Sequence, residues 1–103
     1  MTYSLNTIIL DPLSKEKPKS AVILCHGYGG DGKDISLLAN YWRNFLPETI
    51  FICPDAPEKC AVSSTGFQWF DLVDQTPDQI LTKSFIAEMK LNKLIDEVKN
   101  NNN

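Results

Sequence analysis

The sequence has few of the features that mark several large classes of protein. Its longest uninterrupted apolar run, Ala21 to Cys25, has five residues, whereas a membrane-spanning helix needs about 20. Residues 1–10 carry no basic segment followed by an apolar core, which argues against a secretory signal there. Acidic and basic residues are mixed along a chain of net charge −3, so there is no basic stripe to bind nucleic acid. We therefore expect a cytoplasmic chain with no membrane span.

Histidine and cysteine are also scarce. There is one histidine, His26, and three cysteines, an odd number whose spacing fits no disulfide framework and indicates reduced thiols. Cys25, Cys53 and Cys60 could form a zinc site with His26 by count alone. However, there is no Cys-x-x-Cys pair, and Cys25 and His26 are neighbours at a strand end, so their side chains should point to opposite faces. We expect no metal site.

The 103 residues suffice for one domain with one modest core, and a hydrophobic content of 43% is ordinary for a globular protein. Apolar runs and helical spacings predict a strand at about 3–10, a strand at about 21–26, a helix at about 34–46, a strand at about 49–53 and a helix at about 77–99. The middle of the chain is thus a strand–helix–strand unit, which should connect parallel strands with a right-handed crossover. We expect a single α/β domain over residues 1–103.

Each predicted helix carries an apolar stripe. In the first helix the stripe is Ile35, Leu38, Trp42 and Phe45, widened by Tyr41 and Leu46. Asp31 or Asp34 is positioned to cap its start, and Pro47 to end it. The second helix begins at a capping box formed by Thr76 and Gln79. Its apolar face is Ile80, Ser84, Ala87, Leu91, Leu94, Ile95 and Val98. A parallel strand normally follows such a helix, and none is present, so we expect a truncated fold.

Four of the five glycines lie between residues 27 and 32, in the stretch HGYGGDG after the second predicted strand. A phosphate cradle is one interpretation, but Lys33 is followed by Asp34 rather than Ser or Thr, and Asp31 and Asp34 would repel a phosphate. A backbone N–H aimed at a developing oxyanion fits better. Glycines allow the sharp turn and close approach, and one such donor is worth about 3 kcal/mol to an acyl-transfer intermediate.

Four blocks in order carry a family resemblance: the strand followed by HGYGGDG, then FICPDAP, then WFDL, then the Thr-Pro-capped helix ending in LIDEVKN. Together they resemble the phospholipase/carboxylesterase family, which includes the acyl-protein thioesterases, over about residues 21–100. The resemblance implies a partial α/β-hydrolase fold, with three layers and a mostly parallel sheet, truncated before the family's fifth strand and nucleophile elbow. It also implies an acyl ester or thioester substrate and, since serine acyl transfer needs none, no cofactor.

The resemblance also implies roles for individual residues. The backbone N–H of Tyr28 would be the oxyanion donor, in a loop made by His26, Gly27, Gly29 and Gly30. Trp69 and Phe70 would lie near the acyl-binding side of the pocket. Structural roles are the alternative: His26 bonded to nearby backbone, and Trp69 and Phe70 as core aromatics.

The family's nucleophile lies in a G-x-S-x-G elbow that is absent here, because none of the seven serines has that context. The single histidine is already in the loop, so no general base remains, and a pair of Cys60 or Ser64 with His26 has no motif to support it. We expect a fragment that lacks Ser-Asp-His, is inactive alone and has an unpaired strand edge at Ala21–Cys25. The alternatives are one half of a split esterase, completed by a second chain carrying the C-terminal half, and a non-catalytic domain that binds an acyl chain or a partner.

Overall fold

The computed structural model describes residues 3–102. Met1, Thr2 and Asn103, which the predicted domain includes, lie outside the described residues. The described part contains β1 Thr7–Leu10, β2 Ser20–Ile23, α1 Gly32–Trp42, β3 Thr49–Pro54, β4 Glu58–Lys59, β5 Phe67–Gln68 and α2 Pro77–Asn101. None of the helices in that range is long and apolar enough to cross a membrane.

β3 is the centre of a three-stranded sheet with the order β1-β3-β2. β2 pairs with it in parallel, and β1 pairs with it antiparallel. All six residues of β3 are buried, as its continuous apolar run predicts for a strand covered on both faces. β4 and β5 form a separate short hairpin.

The two helices lie on opposite faces of this sheet and make three layers. Side chains alternate along a strand, so Phe51 and Cys53 face one side of β3 and pack with Ala39 of α1. Ile50 and Ile52 face the other side and pack with a cluster that includes Leu94 of α2. The alternation within one strand therefore builds two small cores.

α1 differs from its prediction in length and in the side chains that it buries. Asp31 is the N-cap and accepts a hydrogen bond from the Asp34 N–H at 2.7 Å. The helix ends at Trp42, and the N–H groups of residues 44–46 bond to the carbonyls three residues before them, so the chain tightens into turns before Pro47. Phe45 therefore lies outside the helix and is 69% exposed.

The core contact of α1 is the small residue Ala39, which is fully buried. Ile35 packs beside it, whereas Leu38 and Trp42 of the predicted stripe are exposed. The sheet covers a narrower part of this helix than the width of its apolar stripe. The stripe is thus a sound indicator of the helix and a poor indicator of its buried residues.

α2 has the capping box of Thr76 and Gln79 and a proline in its first turn. None of the seven residues of its predicted apolar face is exposed, and Ala87, Leu94 and Val98 are buried. Its opposite side carries exposed large apolar residues, namely Leu81, Phe85, Ile86 and Met89.

The first strand begins at Thr7 rather than near residue 3. The preceding segment turns toward α2, because Leu5 is buried in the α2-side core and the Ser4 N–H donates to Glu97 at 2.9 Å. β2 has no strand partner on its outer edge within residues 3–102. The unpaired edge predicted for this strand is therefore present in the described chain.

Candidate functional site

The glycine-rich loop lies at the carboxyl end of the sheet. It connects the end of β2 to the start of α1, and the loop after β3 lies beside it because parallel strands end at the same edge. This edge is where α/β sheets position their binding and catalytic residues. The loop is held there by hydrogen bonds from three other segments.

His26 is the first anchor of the loop, and it is only 4% exposed. Its Nε2 accepts a hydrogen bond from the Ala56 N–H at 2.9 Å. A nitrogen that accepts carries no proton, so Nδ1 holds the proton and donates to the Gly27 carbonyl at 2.7 Å. Both ring nitrogens are therefore engaged with backbone, and neither is free to act as a general base.

Trp69 is the second anchor. Its Nε1–H donates to the His26 carbonyl at 2.9 Å, and the two rings lie 5.6 Å apart between centroids. Phe70 is half-buried and, with Trp69, lines a cavity of about 210 Å³ against α2. Trp69 thus supports the loop directly, whereas Phe70 borders only the cavity.

Phe67 is the third anchor, and both its backbone carbonyl and its backbone N–H bond to the loop. The Gly29 N–H donates to the Phe67 carbonyl at 3.0 Å, and the Phe67 N–H donates to the Gly30 carbonyl at 2.9 Å. Gly29 has φ +85°, a conformation that favours glycine. A Cβ on Gly66 would overlap the Gly29 carbonyl, so only glycine allows this close approach.

Asp55 is a fourth anchor, although it is not among the predicted site residues. Its Oδ1 accepts from the Gly32 N–H at 2.8 Å, and its Oδ2 accepts from Asn6 Nδ2 at 3.1 Å. A carboxylate at a helix N-terminus is favourable, because the first N–H groups there lack helical partners. One signal was available: an acidic residue directly after a buried strand, at the same sheet edge as the glycine loop.

The hydrogen bonds of the glycine loop argue against the interpretation of this loop as a phosphate site. Gly27, Gly29 and Gly32 have the G-x-G-x-x-G spacing of dinucleotide-binding loops. Such a loop must leave several N–H groups free for the phosphate. Here the Gly29, Gly30 and Gly32 N–H groups donate to Phe67, Gly27 and Asp55, and the acceptor at Gly32 is itself an anion. The Asp55 carboxylate, which already occupies the Gly32 N–H, would repel a phosphate, so the arrangement does not suit one.

Like the N–H of Gly27, the Tyr28 N–H has no hydrogen-bond partner within the described chain, residues 3–102. Its side chain is 38% exposed. Partial burial and the nearby Cys60 thiol raise the pKa of the Tyr28 phenol, which keeps it protonated at neutral pH. The loop thus presents two adjacent free backbone donors, on Gly27 and Tyr28, before the bonded Gly29 and Gly30, a geometry able to stabilise a negative charge.

The three cysteines are free thiols, with Cys25 exposed and the other two buried. Partial burial of its thiol raises the pKa of Cys25. Burial, with a smaller contribution from the nearby Cys25, raises the pKa of Cys53 to about 11. Both thiols are therefore protonated at neutral pH and are poor nucleophiles. Among residues 3–102 there is no group of three His, Cys, Asp or Glu side chains that could hold a metal ion.

Comparison with known proteins identifies a family whose members this chain resembles. The sequence model of the family described as Phospholipase/Carboxylesterase matches residues 11–102. Acyl-protein thioesterase 1 of Schizosaccharomyces pombe is 33% identical over 75 residues, which make up 70% of this chain and 32% of that protein. The crystal structure of esterase PE8 superposes with a TM-score of 0.85 at 32% identity and covers 95% of this chain.

Both relatives are much longer than the part that matches. The chain spans about a third of the thioesterase and 46% of the esterase structure. The sheet with a helix on each face is thus a partial α/β-hydrolase fold, as the sequence predicts.

Proposed function

The chain belongs to the phospholipase/carboxylesterase family, and we propose that it supplies an oxyanion-hole donor, the backbone N–H of Tyr28, to a serine hydrolase of carboxylic esters or thioesters. The observation that supports this is the free N–H of Tyr28, which directly precedes the bonded N–H groups of Gly29 and Gly30. Attack on an acyl carbonyl places a negative charge on its oxygen. A donor already fixed in position stabilises that charge without reorganising during the reaction.

These 103 residues would supply neither the nucleophile nor the base. No serine lies in G-x-S-x-G, and both ring nitrogens of His26 bond to backbone. The nucleophile, the acid, the base and the second oxyanion donor would come from polypeptide outside this sequence. We expect the 103-residue chain alone to show no esterase activity above the weak rate that binding groups give without a triad.

A chimera tests the role of Tyr28. Residues 1–103 are joined to the part of the fission yeast thioesterase that follows its matched segment, and ester hydrolysis is measured. Tyr28→Pro removes the backbone N–H, whereas Tyr28→Phe keeps it and serves as the matched control. We expect Tyr28→Pro to lower kcat by about 100- to 1,000-fold and Tyr28→Phe to lower it by less than about threefold.

Equal losses in the two variants would contradict the proposal, because they would assign the effect to the side chain. To separate a misfolded chimera from a lost donor, the thermal unfolding of each variant is compared with that of the parent. An active, stable Tyr28→Pro chimera would rule out this N–H as the oxyanion donor.

A second candidate is one half of a split esterase. The open outer edge of β2 supports it, because an exposed strand edge accepts a further strand from another chain. Mixing the separately purified chain with a chain that carries the G-x-S-x-G elbow should then restore ester hydrolysis. No activity from two soluble, folded chains would count against this candidate.

A third candidate is a non-catalytic domain that binds an acyl chain or a partner. The cavity beside Trp69 and Phe70 supports it. Intact-mass analysis after treatment with a fluorophosphonate separates active from inactive forms: a stoichiometric adduct would identify an activated serine and overturn all three candidates.

For every candidate we propose a cytoplasmic location, supported by three free cysteines, and fractionation of expressing cells would test it.

A further inference from the structure

A second concave region lies between α2 and the start of β1. Its volume is about 420 Å³, which falls within the range of about 300–1,000 Å³ typical of small-molecule sites. Its walls are residues 4–6, the loop 55–57, Phe67 of β5, and Lys90 and Lys93 of α2. None of residues 26–30 lines it.

The floor of this cavity is apolar. Leu5 and Ala56 are buried, and Pro57 and Phe67 are half-buried. Such a surface favours the apolar part of a ligand through burial of hydrocarbon, at about 25 cal/mol per Å². The aromatic ring of Phe67 and the rigid ring of Pro57 need little ordering to form this floor.

The acidic groups around the cavity are already bonded to donors from the chain. Asp55 accepts from the Gly32 N–H and from Asn6 Nδ2. Glu97, one turn beyond Lys93, accepts from both the N–H and the Oγ–H of Ser4, each at 2.9 Å. These carboxylates and the side chains of Ser4 and Asn6 therefore have internal partners.

The two lysines differ from these groups. Lys90 and Lys93 are exposed and lie three residues apart, so they share one side of α2. The one ion pair among residues 3–102 joins Lys19 to Glu48. The Lys93 charge acts on Glu97 and helps to lower the pKa of that carboxyl, after the backbone hydrogen bond from Ser4. The unpaired polar groups of the cavity are thus cationic donors.

We propose that this cavity binds a small monocarboxylate with an apolar chain, its carboxylate between Lys90 and Lys93 and its chain on the floor of Leu5, Ala56 and Phe67. An anion satisfies the two free ammonium groups, whereas a cation would leave them unpaired beside an apolar surface. A single charge suits the site better than the two of a phosphate monoester, because Asp55 and Glu97 lie close by. The inference does not rest on the role of Tyr28.

The ligand would touch two residues whose backbone holds the glycine loop. The Ala56 N–H bonds to His26, and Phe67 bonds to Gly29 and Gly30. Binding should therefore change the amide resonances of the cavity floor first and of residues 29–30 more weakly. That order gives the site a spectroscopic signature.

The test is a ¹⁵N–¹H titration of the 103-residue chain with hexanoate, with hexanol and hexylammonium as probes of the same chain length. We expect saturable shifts at Leu5, Ala56 and Phe67. Hexanol should bind about tenfold more weakly than hexanoate, and hexylammonium should bind more weakly still. The double variant Lys90→Ala/Lys93→Ala should weaken hexanoate about tenfold. Lys99→Ala, on the last turns of the same helix and outside this cavity, should leave hexanoate binding unchanged.

Three results would overturn the proposal. Equal affinity for hexanol and hexanoate would show that the lysines do not recognise the head group. Unchanged hexanoate binding in the double variant would show the same for the two lysines directly. Shifts that do not saturate, or that spread over the exposed faces of the helices instead of the cavity floor, would exclude a site here.

Discussion

At the carboxyl end of the sheet, the loop after β2 bonds to the loop after β3, to β5 and to Trp69. The outer sides of α1 and α2, by contrast, carry large apolar side chains exposed to solvent, with Leu37 at 70% and Leu81 at 71%. One region is held by hydrogen bonds within residues 3–102, and the other leaves its apolar groups uncovered there. The geometry of the candidate site therefore depends on local hydrogen bonds and not on the exposed outer sides of the helices.

The largest expected difference lies between the two sides of α2. Leu94→Ala removes a fully buried side chain from the core on β3, so it should lower the free energy of unfolding by about 3 kcal/mol. Leu81→Ala, on the exposed side, should change it by less than about 0.5 kcal/mol. Denaturant unfolding of both variants measures the difference. Similar losses would show that the exposed side of α2 is covered in solution.

A smaller effect should come from the contact between the two glycine-containing loops. Gly66→Ala places a methyl group against the Gly29 carbonyl and should cost about 2 kcal/mol, because backbone must move. Gly27→Ala is the matched control, since no atom lies within 4 Å of its added Cβ. Its cost should stay below about 0.5 kcal/mol. Equal stability of the two variants would mean that the backbone of Phe67 does not hold the loop in place.

The hydrogen bond from Trp69 to His26 should contribute less. Trp69→Phe keeps an aromatic ring and removes the indole N–H, which leaves the His26 carbonyl without that donor. We expect a loss of about 1 kcal/mol, together with faster hydrogen exchange at the Ala56 amide. Phe70→Leu, next to Trp69 but without a bond to the loop, should leave that exchange rate unchanged. If both variants change it equally, Trp69 supports the loop only by packing.

The smallest expected effect is a pH dependence of the stability of the fold, which arises from Glu97 near the C-terminal end of α2. The hydrogen bond from the Ser4 N–H, together with the weaker effect of the one from the Ser4 Oγ–H, lowers the pKa of Glu97 from its ordinary value of 4.5. A carboxyl with a lowered pKa stabilises the folded chain above its ordinary pKa, and that contribution disappears as the pH falls through the lowered value. The melting temperature should therefore fall slightly more steeply below about pH 4.5 in the parent than in Glu97→Gln. Parallel curves would contradict this bond.

Much of the fold could be predicted from the sequence. The family and the α/β-hydrolase fold are confirmed by the comparisons. For α2, the period of the apolar residues and the Thr76 capping box follow from local chemistry, and the face built on Leu94 is the one that packs. For α1, the stripe is wider than the surface that the sheet covers, so spacing alone could not identify Ala39 as the core contact.

The internal bonds of the site could be predicted far less well. Asp55 and Gly32 are 23 residues apart, and their bond depends on how β3 ends beside the loop after β2. The G-x-G-x-x-G spacing is likewise uninformative alone, because function depends on which N–H groups are already used. The role of Tyr28 as an oxyanion donor stays a prediction.

Amide hydrogen exchange of the 103-residue chain tests the central claim most directly. If the loop is fixed with the Tyr28 donor free, the Gly29, Gly30, Ala56 and Phe67 amides should be protected, since each donates within the chain. The Tyr28 amide should exchange at nearly the rate of an unstructured peptide. A protected Tyr28 amide would mean that the donor is already used. Fast exchange at all five amides would mean that the loop is not held in place, and either result would contradict a preformed oxyanion donor.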